Sequence, residues 1–445
     1  MSLIQNFVST VQSIGKIPEL RKKLVVTFLL LVVYRVGFFV PIPGVSTAAV
    51  ASLLKQFSEG AWGQVFGLAN LVSGGSILNF TVFSLGIMPY ISASIIFQLL
   101  TKVVPTLEQL QKEGESGRRR INQWTRYATI GISFLQSFFM MSTVVGNFPQ
   151  IVAPSVSPAG FIFMGIVSLT AGTCFLMWLG EKITDHGIGN GASIIIMAGI
   201  IAGIPPAIGD VLGQFQRGDV GFVAILALAT SFVVTVAGVV FITQGQRRIP
   251  IQQAKHTRGR RQYGGQRHYM PLRVNMAGVM PIIFASALLT FPQILINLVF
   301  GQGSTLADIF TETGSFVYVF LYVGMVYIFS FFWNQLIFNP VEMANNMKEW
   351  GSFVPGIRPG KKTSAYLEHS LNRITLAGAT FLALIAVLPI MLMRWTGIGL
   401  VYILGGTSIL IVVGVALDVV QKIESHLLMR HYKGFLGGGG IRGRR

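Results

Sequence analysis

The chain has 445 residues, of which 52% are hydrophobic and 11% charged, and its mean hydropathy is +0.64. An ordinary soluble domain carries about 25% charged residues, so this composition excludes one. The formal net charge of +18 admits anionic lipid or nucleic acid as a neighbour, and the single cysteine, Cys174, leaves no disulfide framework to place.

In chain order, segment 1–23 comes first. Leu3, Phe7, Val11 and Ile14 fall on one helical stripe there, which predicts a cytoplasmic amphipathic element lying on the membrane or on a partner. Arg21-Lys22-Lys23 precedes an apolar run, as in a signal-anchor, and Phe38-Phe39-Val40-Pro41 follows it. Small residues would be needed for cleavage, so the segment is expected to be retained. Apolar runs then predict about ten spans: 24–40, 77–101, 121–142, 159–180, 191–209, 220–243, 274–300, 316–338, 374–393 and 398–420. The alternating segments of a membrane β-barrel are absent. If the N-terminus is cytoplasmic, Lys55, Arg217 and Arg394 fall in outside loops and Arg35 lies within the first span. The other Lys and Arg all fall inside or at the inside end of a span, which supports this topology and puts both termini in the cytoplasm.

Gly86-Ile87-Met88-Pro89-Tyr90-Ile91-Ser92-Ala93-Ser94 in the second span recurs as Gly278-Val279-Met280-Pro281-Ile282-Ile283-Phe284-Ala285-Ser286 in the seventh. Gly, Met and Pro at matching offsets argue for a duplication rather than chance among apolar residues. Copies five spans apart cross the membrane in opposite directions. The fold class that follows is an all-α polytopic membrane protein in two inverted halves of five spans, 24–209 and 210–420, with a basic tail at 421–445. Transporters share this plan, with the pathway at the repeat interface.

Between the first two spans lies an apolar stretch, 61–75, too short and too polar to span. A helix on the membrane surface is one reading; a re-entrant element with Gly74-Gly75 as its hinge is the sharper one. On the inside, loop 244–273 carries Arg247, Arg248, Lys255, Arg258, Arg260, Arg261, Arg267 and Arg273 and no acid. Loop 339–373 carries Lys348, Arg358, Lys361, Lys362 and Arg373, partly balanced by Glu342, Glu349 and Glu368. Lipid headgroups account for ordinary basic loops. Loops this dense also fit a large anionic partner, either RNA or an acidic protein surface.

Enzyme chemistry finds no footing. Gly360-Lys361-Lys362-Thr363 lacks the first glycine of a phosphate loop, whose place is held by Pro355. Gly438, Gly440 and Gly443 fit a dinucleotide fingerprint only formally, in a low-complexity tail. The six histidines lack metal-ligand spacing, and no cofactor is expected. Glu181 and Asp185 share a helical face at an inside boundary, where a solvated or paired role outweighs catalysis. Ion-coupled carriers keep ionisable groups inside their spans. Here every Asp and Glu lies in a loop or near a span end, with Asp418 the nearest exception. Arg35, the clear intramembrane charge, reads as structural, snorkelling outward or binding backbone carbonyls.

The chain resembles the SecY family of protein-conducting channels. The resemblance runs nearly end to end, through Gly86–Ser94, Lys112-Glu113-Gly114-Glu115-Ser116-Gly117-Arg118-Arg119 and Met177-Trp178-Leu179-Gly180-Glu181. It continues through Gly187-Ile188-Gly189-Asn190-Gly191, Val274-Asn275-Met276-Ala277-Gly278, Phe353-Val354-Pro355-Gly356-Ile357-Arg358-Pro359-Gly360 and Gly405-Gly406-Thr407-Ser408. One departure is Gln253, where the family usually has an aromatic.

The resemblance implies a bacterial inner-membrane channel for unfolded polypeptides, with membrane segments released through a lateral gate. Its pore ring would fall on Ile87, Ile91, Ile196, Ile283 and Ile411. Ile87 and Ile91 share a helical face, and Ile283 holds the place in the second copy that Ile91 holds in the first; ordinary helix packing is the bland alternative. The plug would be 61–75, with Gly63, Gly67, Asn70, Gly74 and Gly75. Gln98 and Asn275 would be polar gate positions. Arg247, Arg248, Arg260, Arg261 and Arg358 would dock the SecA ATPase and the translating ribosome. SecE and SecG, signal peptides, nascent polypeptides and membrane lipids complete the implied partners. The alternatives are a secondary transporter of small molecules and a membrane scaffold whose basic loops recruit cytoplasmic proteins.

Overall fold

The computed structural model describes residues 17–46, 49–50, 80–218, 220–253, 256–258, 261–263, 267–275, 278–282, 284–285, 289, 315–396 and 406–437. Six of the described helices are long and apolar enough to cross a membrane, or seven if one bent pair is a single span. The chain forms two compact units, Met1–Ala207 with Val415–Arg445, and Ile208–Gly414.

In the first unit, α1 spans Pro18–Val36, α2 Met88–Val103, α3 Pro105–Lys112, α4 Glu115–Asn147 and α5 Pro158–His186. Helix α6 spans Gly191–Arg217 and passes into the second unit just beyond Pro205-Pro206. The second predicted span begins later than its apolar run, because residues 80–87 form tight turns and the helix starts at Met88. Its far end breaks at Pro105, where α2 and α3 meet at 96°; proline can neither donate at that point nor let Val104 stay helical.

Small residues decide how closely these elements approach. A Cβ on Gly37 would stand 1.8 Å from the Phe83 ring, within a run of touching rings formed by Tyr34, Phe38, Phe83, Phe175 and Trp178. Beside it the Arg35 guanidinium lies 5.0 Å over the Phe38 ring. This is a cation–π contact, a structural role for Arg35. Helices α4 and α5 are joined at one end by an ion pair, Arg126 Nε to Glu181 Oε1 at 2.7 Å. Glu181 therefore takes the paired role.

In the second unit, α7 (Phe222–Gln244) leads into β1 (Gln246–Gln253), β2 (His256–Arg258), β3 (Arg261–Tyr263) and β4 (Arg267–Arg273). Helices α8 (Phe316–Ile337) and α9 (Pro340–Glu349), strand β5 (Ser352–Phe353) and α10 (Lys361–Thr396) follow. Helix α11 (Gly406–Gly437) starts in this unit and continues in the first. The core gathers Ile282, Ala285 and Leu289 against Tyr322 and Val326 of α8 and Leu382 and Ala386 of α10.

Loops 244–273 and 339–373 add a sheet to the helical frame. β1 pairs antiparallel with β4, from Gln246 opposite Arg273 to Gln252 opposite Arg267, and β5 joins the other side of β1. One face of this sheet is apolar. Ile249 and Leu272, 1% and 0% exposed, pack with Met347 of α9 and Leu367, Leu371 and Ile374 of α10.

Candidate functional site

The two copies of the repeat use one local device. Gly86 and Gly278 have φ of +58° and +62°, a region that costs a side-chain-bearing residue strain. Helix begins two positions later in each copy, at Met88 and Met280, with Pro89 and Pro281 next. Proline in a helix's first turn loses nothing, since that donor has no intrahelical partner. The shared glycine thus breaks the chain and the shared proline starts it again.

Ile87 sits at this restart. It is 2% exposed, and the tip of its side chain, with that of Ile195, flanks Gly180 of α5. Ile91 follows one turn later, its N–H donating to the Ile87 carbonyl at 3.1 Å, and is half-buried. Gln98, two turns on, is exposed, its amide 3.5 Å from the Ser94 hydroxyl on the same face. Ile87, Ile91, Ser94 and Gln98 therefore form one stripe along α2. Ile196, 9% exposed, lies near the start of α6, and Ile411 is half-buried in α11. Ile283 lies outside the described residues, as do Gly63, Gly67, Asn70, Gly74, Gly75 and the whole of 61–75.

The start of α6 is held by the turn Gly187–Gly191. Ile188 N–H donates to Thr27 Oγ1 of α1 at 3.2 Å, Gly191 N–H to Thr184 Oγ1 at 2.9 Å, and Ser193 N–H to Asn190 Oδ1 at 3.2 Å. A Cβ on Gly191 would lie 1.8 Å from the Gly180 carbonyl oxygen. At Gly189, φ of +90° favours glycine on conformational grounds. The turn thus fixes where Ile196 stands relative to Ile87.

Both ends of the long first outside loop are also tied down. Ile42 N–H donates to the Phe80 carbonyl at 2.9 Å and Val82 N–H to the Val40 carbonyl at 3.0 Å. The chain that leaves near Pro41 returns to the same point, beside α5, where a Cβ on Gly172 would stand 2.1 Å from the Val82 carbonyl oxygen.

On the cytoplasmic side, the sheet unites loops that read as separate in sequence. Gln252 pairs with Phe353 and Gln253 with Ser352, so the Phe353–Gly360 turn is moored to the arginine-rich loop. Val354 is buried and accepts from Ile357 N–H at 3.1 Å. Gly356 and Gly360 have φ of +83° and +100°. Arg247, Arg248 and Arg358 are exposed. Arg261 lies on β3 and Arg260 outside the described residues. Sequence reading missed Gln252 and Gln253 as the tie, although the Ile249/Ile251 and Met270/Leu272 alternation was a faint signal.

Among the described residues no group of three His, Cys, Asp or Glu could hold a metal. Two carboxylates near span ends are paired, Glu181 with Arg126 and Asp418 with Lys422 at 2.8 Å.

These features define a polytopic helical membrane protein whose solved counterparts are channels. A structure of a protein-conducting channel superposes with a TM-score of 0.62 at 20% identity, covering 91% of this chain and 92% of that one. Sec61 in the canine ribosome–channel complex gives 0.60 at 18% identity, over 91% and 92%. The SecY family model matches residues 81–420. Protein translocase subunit SecY of Thermotoga maritima is 41% identical, over 97% of this chain and 98% of its own. That of Escherichia coli K12 is 43% identical over 96% of each chain, and that of Streptomyces coelicolor 46% over 95% and 98%. The chain belongs to the SecY family.

Proposed function

We propose that this chain is the channel-forming subunit of a bacterial protein translocase, passing unfolded secretory polypeptides across the inner membrane and releasing membrane segments sideways. The observation that carries this reading is identity of 41–46% to translocase SecY subunits over nearly the full length of each chain.

The residues supply a physical account. A chain in transit presents every type of side chain, so a polar constriction would trap some and reject others. An aliphatic ring of Ile87, Ile91, Ile196, Ile283 and Ile411 has no strong preference and dewets when empty, which blocks ions. Stretch 61–75 acts as the plug on the outer side. Gln98 and Asn275 form a polar gate seam worth about 0.6–2 kcal/mol. A nascent segment gains about 0.3–0.6 kcal/mol for each strongly apolar residue at its centre. Summed over about 20 residues, that preference for lipid exceeds the cost of parting the seam.

The channel draws its driving energy from partners. SecA and the translating ribosome dock on the loops whose sequence carries Arg247, Arg248, Arg260, Arg261 and Arg358, and SecE and SecG stand beside the channel. Both termini are cytoplasmic. A coupled small-molecule carrier is the weaker reading, because the identity of 41–46% over nearly the whole chain is to translocase subunits.

Proteoliposomes holding this subunit, SecE, SecG, SecA and a secretory precursor provide the test. Protease-protected precursor that accumulates only with ATP is expected. Protection without ATP, or none with a competent complex, would sink the channel reading.

A further inference from the structure

Within the second unit a small cavity lies where the chain leaves β4, between α8 and α10. Val274, Asn275, Ser330, Asn334, Thr375 and Gly378 help line it. It measures about 10 Å³ to the centre of a water-sized sphere, which is room for one water. Gly378 shapes its wall, since a Cβ there would lie 2.5 Å from the Val274 carbonyl oxygen.

The polar groups around the cavity are unevenly satisfied. Asn334 is 6% exposed. Its Nδ2 donates to Thr375 Oγ1, whose own proton goes to the Leu371 carbonyl at 2.8 Å. That proton path fixes the amide's orientation, because only the NH2 end can face Thr375. Asn334 Oδ1 is then a buried acceptor without a hydrogen-bond donor. Ser330 Oγ donates to the Val326 carbonyl at 2.7 Å, so its remaining capacity is to accept. Asn334 and Ser330, each with an acceptor to spare, thus line the cavity together with Asn275, whose amide has protons to give. Among the described residues no carboxylate lines the cavity, and neutral groups alone do not strip a hard cation of its water.

We propose that this cavity is a built site for one water molecule, which donates to Asn334 Oδ1 and Ser330 Oγ and accepts from the Asn275 amide. Three hydrogen bonds is the usual complement of a buried water. Through this water, α8 and α10 hold the Asn275 side chain, and Asn334 is a positioning residue for it. The consequence for gating rests on Asn275 being a gate residue, as read above; the water site does not.

The test is a density map of the intact translocase complex, at a resolution where waters are seen, for the natural chain and for Asn334→Leu. Density within hydrogen-bonding distance of Asn334 Oδ1 and the Asn275 amide is expected in the first and is lost in the second. Resolved side chains with no such density in the natural chain would overturn the site, whether or not the variant folds. A second measurement follows translocation of a precursor with a weakened signal peptide. Asn275→Leu and Asn334→Leu are expected to change its rate by the same factor, and the double variant by no more. Additive effects would overturn the positioning role. Density present with an unchanged rate in Asn275→Leu would remove the gate reading and leave the water site standing.

Discussion

Gly191 shows why single residues matter in this chain. Its Cα stands where any side chain would strike the Gly180 carbonyl oxygen, so Gly191→Ala must push α6 away from α5. Overpacking of this kind costs about 1–3 kcal/mol. The thermal unfolding midpoint of the purified subunit is expected to fall, while Gly203→Ala, inside the same helix with open space around it, holds or raises it, since alanine loses less backbone entropy there. The motif Gly187–Gly191 was legible in the sequence as a pattern. Its cause was not, because the atoms that forbid a side chain belong to residues distant in sequence, such as Gly180, or on another helix, such as Thr27. Ile91 is the residue-scale test of the constriction. Ile91→Asn should raise the ion conductance of the resting channel by wetting the ring. A seal as tight as the natural one would mean that Ile91 faces something other than the pore.

At the scale of elements, the chief surprise is the sheet. Prolines at 250 and 271 and a dense run of arginines hid β1 and β4 within an apparent loop. Pro250 is tolerated because β1 has a second partner only at Gln252 and Gln253. The buried face of the sheet carries its stability. Leu272→Ala removes a fully buried side chain at a cost of about 2–5 kcal/mol. An arginine-specific protease should then cut loop 244–273 faster, with the membrane helices still protected. Equal cutting rates would mean that the sheet does not hold the loop. By contrast the helices were largely legible, because an apolar run as long as a bilayer is thick has few other fates. The start of the second span was misjudged where an apolar composition concealed a turn, at residues 80–87. The bend before Pro105 lay just past that span's predicted end.

On the scale of the whole molecule, the proposed function divides between a membrane part that reads no cargo sequence and basic loops that read a partner's charge. Arg358→Glu should impair SecA- or ribosome-dependent translocation while the subunit still inserts normally; full transport would remove Arg358 from the docking face. Replacing Arg247 and Arg248 by Ala should weaken ribosome binding, and its dependence on salt should flatten by about one unit of log–log slope per charge lost. An unchanged slope would show that neither arginine meets phosphate. The inverted repeat made the two-part plan visible from the sequence. The joining of the two cytoplasmic loops was invisible, since Gln252 and Phe353 lie about a hundred residues apart and nothing in either advertises the other.

Helix α10 runs free of proline from Lys361, beside the Arg358 turn, to Leu388, a stretch of 28 residues. At 1.5 Å per residue that is about 42 Å, beyond the roughly 30 Å of bilayer hydrocarbon. Leu367 and Leu371 of this rod grip the sheet, and Leu382 and Ala386 are set among the membrane helices. A helix without a break is stiff, so a push on the sheet at one end reaches the membrane helices at the other with no slack joint in which to dissipate. Load at one end is felt at the other as along a lever, with no chemical message between them.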